Sequence, residues 1–290
     1  MNTWRGSLLA PALIFISGLF IVPFIYTLWL SFTDLNFVSP GREGNWIGLA
    51  NYSYALFGDP IFLDSLKRSA QFAALCVAPQ VIFGLAVGEA LFHRPWAQRL
   101  LTPLFALPAL IPAVAVGLYW RLLLQGEFGA LSYYLTELGF GSATGLLGDA
   151  RTILITIAVV DFWQWAPFTT LVFLAARTAL PTAPIEAAYL DGASPTRAFF
   201  DVILPGLAPA ILFISTLRAI DSFKEFDKVY VITGGGPGTA TELASLYVWR
   251  TSFVYWEVGY GAALCVIIYI AIYFTTAITV GRWGAATGKS

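Results

Sequence analysis

Long apolar runs separated by short polar stretches set the pattern of this chain. A bilayer core of about 30 Å takes about 20 mostly apolar helical residues to cross. Six runs reach that size: residues 7–32, 69–92, 100–124, 152–176, 207–232 and 258–280. Unpaired backbone groups are too costly in lipid for any open alternative, so each run is predicted helical, even at strand-favouring Val229, Tyr230, Val231 and Ile232. The expectation is an all-α integral membrane protein: one transmembrane domain over residues 1–290, six helices, and a long loop at 177–206. The first run exceeds the apolar core of about 7–15 residues found in signal peptides, and no small-residue cleavage pattern follows it, so it is predicted to stay as an anchor.

Six spans place both termini on one side, together with the loops near 93–99 and 177–206. That side holds Arg5, Arg94, Arg99, Arg177, Arg197, Arg282 and Lys289, against Arg42, Lys67, Arg68, Arg151 and Arg250 with more acids opposite. The positive-inside rule then puts the termini in the cytoplasm of a multi-pass protein of the cytoplasmic (inner) membrane. The opposite loops, at 33–68, 125–151 and 233–257, carry the Gly, Pro, Asn, Trp and Tyr expected of interfacial turns and short helices.

Composition agrees and narrows the chemistry. The chain is 58% hydrophobic and 11% charged, where soluble domains carry about 25% charge. With a net charge of −1 and no basic run beyond Lys67-Arg68, nucleic-acid binding is excluded. Cys76 and Cys265 sit in apolar runs and read as core filler, with no metal-ligand spacing. His93 is the only histidine, which removes His-cluster metal sites and Ser-His triads. The terminal Gly284-Ala285-Ala286-Thr287-Gly288-Lys289-Ser290 is one residue short of a phosphate-binding loop and lacks the flanking strand and helix, so it reads as a frayed tail.

The loop between the fourth and fifth runs has its own local logic. Pro184 to Leu190 is Ala-rich and favours a short helix, which Gly192 can end in a left-handed conformation. Ser194 before Pro195 resembles an N-cap with proline at the first helical position, so a second helix should run from there towards Pro205. A helix, an elbow and a helix make a rigid knuckle. The residues Glu186-Ala187-Ala188, Gly192 four positions later, and Val202-Ile203-Leu204-Pro205 together resemble the signature loop of permeases in ATP-binding-cassette (ABC) importers, with Val202 where Ile is commoner. Thr233-Gly234-Gly235-Gly236-Pro237 and Trp249-Arg250-Thr251-Ser252-Phe253 resemble the carbohydrate branch, on the side of the maltose and glycerol-phosphate permeases.

Ionisable residues inside spans mark pathways or paired sites. In the fourth run Asp161, Gln164, Trp165 and Phe168 share a helix face, and in the fifth Arg218, Asp221, Glu225 and Lys228 do so, with Ser222 and Lys224 beside them. Aromatic faces for sugar C–H surfaces and carboxylates that accept hydroxyl hydrogen bonds suit a carbohydrate pocket. Arg218 with Asp221, and Glu225 with Lys228, are also i, i+3 pairs able to neutralise each other without touching a solute; Asp161 has no basic partner on its own helix.

The resemblance implies a division of roles. Trp163 and Pro167 match the family's fourth-span pattern, and sugar-contacting positions then fall on Asp161, Gln164, Trp165, Phe168, Asp221, Ser222 and Glu225, with Ala109 and Ala113 in the third span. Small residues at 109 and 113 leave room for a different solute from maltose, and Arg218 and Lys224 leave room for an anionic sugar derivative. Glu186, Ala187, Ala188, Asp191, Gly192 and Ala193 would dock on an ATPase. The implied assembly holds a second homologous permease, two ATP-binding-cassette ATPase subunits and an extracytoplasmic solute-binding protein. This chain would bind no cofactor, with ATP and Mg on the ATPases. A membrane enzyme using Asp161, Asp221 and Glu225 as acid and base would leave the signature loop unexplained. An ion-coupled carrier should show inverted repeats, which are not visible by eye.

Overall fold

The computed structural model describes residues 3–126, 128–139 and 145–286. Among these residues the chain is almost wholly helical, and the one β contact is an isolated bridge between Thr33 and Trp46. The order is α1 (Thr3–Leu30), α2 (Ala50–Phe57), α3 (Pro60–Phe92), α4 (Pro95–Leu110), α5 (Ala113–Leu124), α6 (Ala130–Glu137) and α7 (Ile153–Thr178). The rest are α8 (Ala183–Leu190), α9 (Pro195–Ala198), α10 (Leu204–Gly206), α11 (Ala208–Phe223), α12 (Asp227–Ile232), α13 (Ala244–Trp249) and α14 (Val258–Ala286).

Each predicted run is mostly helical, but the third is interrupted at 111–112 and the fifth, predicted as one helix over 207–232, at 224–226 between α11 and α12. Three helices, α3, α7 and the Val258–Ala277 part of α14, are continuous and apolar enough to cross a membrane. Two further candidates are bent pairs that reach that length and apolarity only together, α4 with α5 at 93° and Pro195–Gly206 with Ala208–Ile232 at 61°, which makes up to five of the six expected spans; α1 contributes the shorter apolar stretch Ile14–Leu30. The third run, predicted as one helix over 100–124, is therefore broken at Ile111-Pro112. Pro112 has no N–H to continue the ladder and pushes the residue before it out of the helical region; Ile111 is extended, at φ −80° and ψ 127°. Pro79 and Pro167 sit inside α3 and α7 without ending them.

The helices form two compact units, Met1–Asp64 with Tyr247–Thr275 and Ser65–Leu246 with Thr276–Ser290. In the first, Asp59 caps α3 by accepting from Phe62 N at 3.0 Å, while the Tyr247 and Tyr260 hydroxyls donate to its other oxygen at 2.7 and 2.6 Å. Burial and the Asp59 carboxylate push the Tyr247 phenol above the usual tyrosine range, which keeps it a donor at physiological pH.

In the second unit α3 and α7 pack through Gly84 and Gly88, one turn apart on α3. A Cβ on Gly84 would lie 2.8 Å from Thr169 Cγ2, and one on Gly88 would lie 3.3 Å from Leu174 N and Phe173 Cβ. Small residues let membrane helices approach this closely. Gly84→Leu is expected to overpack the contact and cost about 1–3 kcal/mol, read as a lower thermal midpoint of the intact complex in lipid. An unchanged midpoint would contradict this packing.

Candidate functional site

Asp161, in the N-terminal half of α7, is fully buried, and its carboxylate joins four helices. Arg218 of α11 donates through Nη2 to Oδ2 at 2.7 Å, and Gln80 of α3 donates through Nε2 to the same oxygen at 2.8 Å. Lys228 of α12 donates through Nζ to Oδ1. Gln80 also accepts from Arg218 Nε at 2.9 Å, Ser222 Oγ accepts from Arg218 Nη2 at 3.2 Å, and Gln164 Oε1 accepts from Lys228 Nζ at 3.2 Å. Both cations are 1% exposed. Buried ions are tolerated only when paired and hydrogen-bonded, and here each has a carboxylate and an amide. Arg218, before the break between α11 and α12, and Lys228, after it, both reach Asp161 of α7.

One anion between two cations leaves a positive excess, which the edge of the cluster offsets. Glu225 lies 2.8 Å from Lys228 Nζ and Asp221 3.7 Å from Arg218 Nη1, their side chains 11% and 35% exposed. Lys224, more exposed, pairs with Asp221 at 3.2 Å. The two i, i+3 pairs read from the sequence therefore form, but each is a branch of a larger network centred on Asp161. The Arg218 guanidinium lies 4.6 Å from the centroid of the Trp165 ring, a cation–π arrangement, and the Trp165 and Phe168 rings meet edge to face. Both aromatic side chains are half-buried.

The structure thus brings Asp161, Gln164, Trp165, Phe168, Asp221, Ser222 and Glu225 into one connected group. Ala109 and Ala113 flank the α4–α5 break two positions either side of Ile111, whose carbonyl accepts from Gln164 Nε2 at 2.9 Å. Gln80 escaped the sequence reading. Its signal was an amide in the middle of an apolar run, where a polar group needs a partner on another helix. Arg177, counted as a loop cation, is 6% exposed: its Nε donates to Glu89 at 2.7 Å and its guanidinium lies 3.9 Å from the centroid of the Phe92 ring. Cys76 is buried as expected, whereas Cys265 is exposed and fills no core in this chain. Among the described residues no cluster of three or more His, Cys, Asp or Glu could hold a metal.

The loop group lies apart from this cluster. Ile185 of α8 is buried with Ile203 and Leu207 and anchors the knuckle. Glu186, Ala187, Asp191 and Gly192 are exposed, Ala188 and Ala193 half-buried, and Leu190 is 89% exposed. Gly192 has φ +83°, Ala193 N donates back to Ala188 O at 2.9 Å, and Ser194 Oγ accepts from Arg197 N as the cap of α9. The predicted elbow is present. Beyond α9 the helix widens to a π turn at Phe199–Ile203 just before Pro205, where the proline withholds a backbone donor. The tail predicted to fray is helical to Ala286, and residues 287–290 lie outside the described residues.

The comparisons with known proteins agree with this geometry. The model of the family "Binding-protein-dependent transport system inner membrane component" matches residues 80–283. The chain is 31% identical over 282 residues to the trehalose/maltose transport system permease protein MalF of Thermococcus litoralis, spanning 95% of this chain and 91% of that protein. It is 30% identical over 274 residues to the sulfoquinovosyl glycerol transport system permease protein SmoG of Agrobacterium fabrum, spanning 93% and 87%. In fold it is similar to a chain of a bacterial ABC transporter involved in the import of the acidic polysaccharide alginate, with a TM-score of 0.78 at 18% identity over 96% of this chain and 95% of that one. The resemblance carried by Glu186–Pro205 and Thr233–Pro237 is therefore borne out, and the chain belongs to the family of inner membrane components of binding-protein-dependent transport systems, the permeases of ABC importers.

Proposed function

We propose that this chain carries a sugar, polyol or sugar derivative into the cytoplasm by alternating access, receiving it from an extracytoplasmic binding protein. The observation that carries the reading is a pairing of chemistries in one helical unit. Half-buried Trp165 and Phe168 offer faces for sugar C–H surfaces, and Asp221 and Glu225, joined to them through Arg218 and Lys228, have partly open carboxylates that can accept hydroxyl hydrogen bonds. Asp161, Gln164 and Ser222 hold these groups in place through the ion network, and Ala109 and Ala113 keep the facing break clear of bulky side chains. The relatives named for trehalose/maltose and sulfoquinovosyl glycerol support a carbohydrate, neutral or anionic.

In this reading both termini and the α8 knuckle face the cytoplasm. A second homologous permease completes the membrane unit, and two ATPase subunits hold ATP and Mg. Glu186, Ala187, Ala188, Asp191, Gly192 and Ala193 meet one of them. The chain has no catalytic site or bound cofactor of its own and acts by conveying nucleotide-dependent motion to the helices.

The test is ATP hydrolysis by the complex purified through a tag on this chain and reconstituted in lipid. A candidate binding protein loaded with trehalose, maltose, glycerol or sulfoquinovosyl glycerol is added in turn. Stimulation by one loaded form is expected and names the solute class. Equal hydrolysis with all loaded and empty forms would remove the carbohydrate assignment.

A further inference from the structure

The ion cluster is one row of alternating charge. Lys224 pairs with Asp221, Asp221 with Arg218, Arg218 with Asp161, Asp161 with Lys228, and Lys228 with Glu225. Three cations face three carboxylates, so the row is neutral as a whole. Its spare hydrogen-bonding capacity is one-sided. An ammonium has about three N–H donors and a guanidinium about five. Lys228 Nζ spends its donors on Asp161, Gln164 and Glu225. Arg218 spends Nε on Gln80 and both donors of Nη2 on Asp161 and Ser222, while Nη1 faces Asp221 at 3.7 Å. Both cations are buried, so neither has a donor left for a solute. Asp221 and Glu225 differ: each is partly exposed, and a carboxylate has about four lone-pair positions, more than these partners fill. The one open cation in the row is Lys224, 58% exposed, and Asp221 lies 3.2 Å from its ammonium.

We infer that this site is built for an uncharged carbohydrate, with Asp221 the specificity-determining residue that turns anions away. Solute hydroxyls donate to the open lone pairs of Asp221 and Glu225, whereas an anionic group brings only acceptors and a charge. Set against Lys224, that group would also lie beside the Asp221 carboxylate, whose repulsion offsets the attraction. Asp221 thus occupies both Lys224 and the last donors of Arg218, the cations an anionic sugar would otherwise use. The inference rests on the carbohydrate reading above and narrows it to neutral solutes, but its test needs no solute.

Leu217 lies one turn before Asp221 on α11 and is 37% exposed, so a thiol placed there reads the charge around Asp221 and Lys224. Leu217→Cys is made in a chain whose exposed Cys265 is replaced by alanine; Cys76 is buried. The assembled complex in lipid discs, without nucleotide, is treated with a neutral methanethiosulfonate and with its sulfonate-bearing analogue, and labelling of this chain is followed by mass. The ratio of the anionic to the neutral rate, divided by the same ratio for a free model thiol, cancels the reactivity of the thiol itself. A value near unity is expected. Asp221→Asn should raise it at least about tenfold, Lys224→Gln should lower it by a similar factor, and the two together should return it to near unity. Should Asp221→Asn fail to assemble, Lys224→Gln decides. A ratio that favours the sulfonate with Asp221 in place, a ratio that either single substitution leaves unchanged, or a thiol that neither reagent reaches would overturn the inference. Solute-stimulated ATP hydrolysis by the same complexes tests the transport reading separately: its absence would count against that reading and leave the charge ratio standing.

Discussion

Asp161→Ala should be the most damaging single substitution in this chain, because one carboxylate neutralises two buried cations. Its removal leaves Arg218 and Lys228 with only Asp221 and Glu225 at the edge of the cluster, and leaves the Gln80 amide without the oxygen it donates to. Breaking a buried ion pair from one side costs about 3–5 kcal/mol, enough to lower both the yield and the thermal midpoint of the assembled complex. Adding Lys228→Met, which withdraws one of the stranded cations, should recover part of the loss. The coupling would appear as non-additivity in a double-mutant cycle. A single variant with wild-type yield and midpoint would show that the network in α3, α7, α11 and α12 does not hold these helices together.

Glu186→Lys should have the opposite character, with transport lost and the fold intact. Glu186 lies in the first turn of α8, on the exposed side of a knuckle whose buried side is fixed by Ile185. Reversing its charge disturbs no packing within the chain, so insertion and thermal midpoint should match wild type. If α8 is the element that meets the ATPase, uptake should fall at least about tenfold, a coupling loss of about 1.4 kcal/mol or more, while ATP hydrolysis ceases to follow solute. Unimpaired uptake in a correctly inserted variant would remove the docking role from this loop.

These two sites differ in how far the sequence reveals them. The knuckle is local: an Ala-rich turn, Gly192 at an elbow that requires positive φ, and Ser194-Pro195 opening the next helix can each be read from neighbours in sequence, and all three are present. The apolar runs were equally legible, because about 20 mostly apolar residues favour one conformation in lipid. The break at Ile111-Pro112 was not, although Pro103, Pro108 and Pro112 lie close together. Pro103 and Pro108 remain inside α4, and whether a membrane helix bends or breaks at a proline depends on which neighbours satisfy the freed carbonyls. Gln164, from another helix, supplies that partner here.

The ion cluster was half legible. Helical periodicity placed Asp161 with Gln164, and Arg218 with Asp221, on shared faces, and the i, i+3 pairs within α11 and α12 follow from spacing alone. That Arg218 and Lys228 both turn to Asp161, with Gln80 completing the set, is a property of how α3, α7, α11 and α12 pack. A carboxylate without a basic partner on its own span, and cations on another, pointed towards it. Arg177 shows the reverse error: a cation at a helix end reads as solvated until Glu89 and Phe92 are seen to enclose it.

The decisive measurement is uptake of radiolabelled solute into vesicles that contain the complex and enclosed ATP, with the loaded binding protein outside and all ion gradients collapsed by ionophores. Accumulation against the solute's own gradient, abolished when ATP is replaced by a non-hydrolysable analogue, is the expected result. Uptake that follows an imposed proton or sodium gradient and ignores ATP would contradict it.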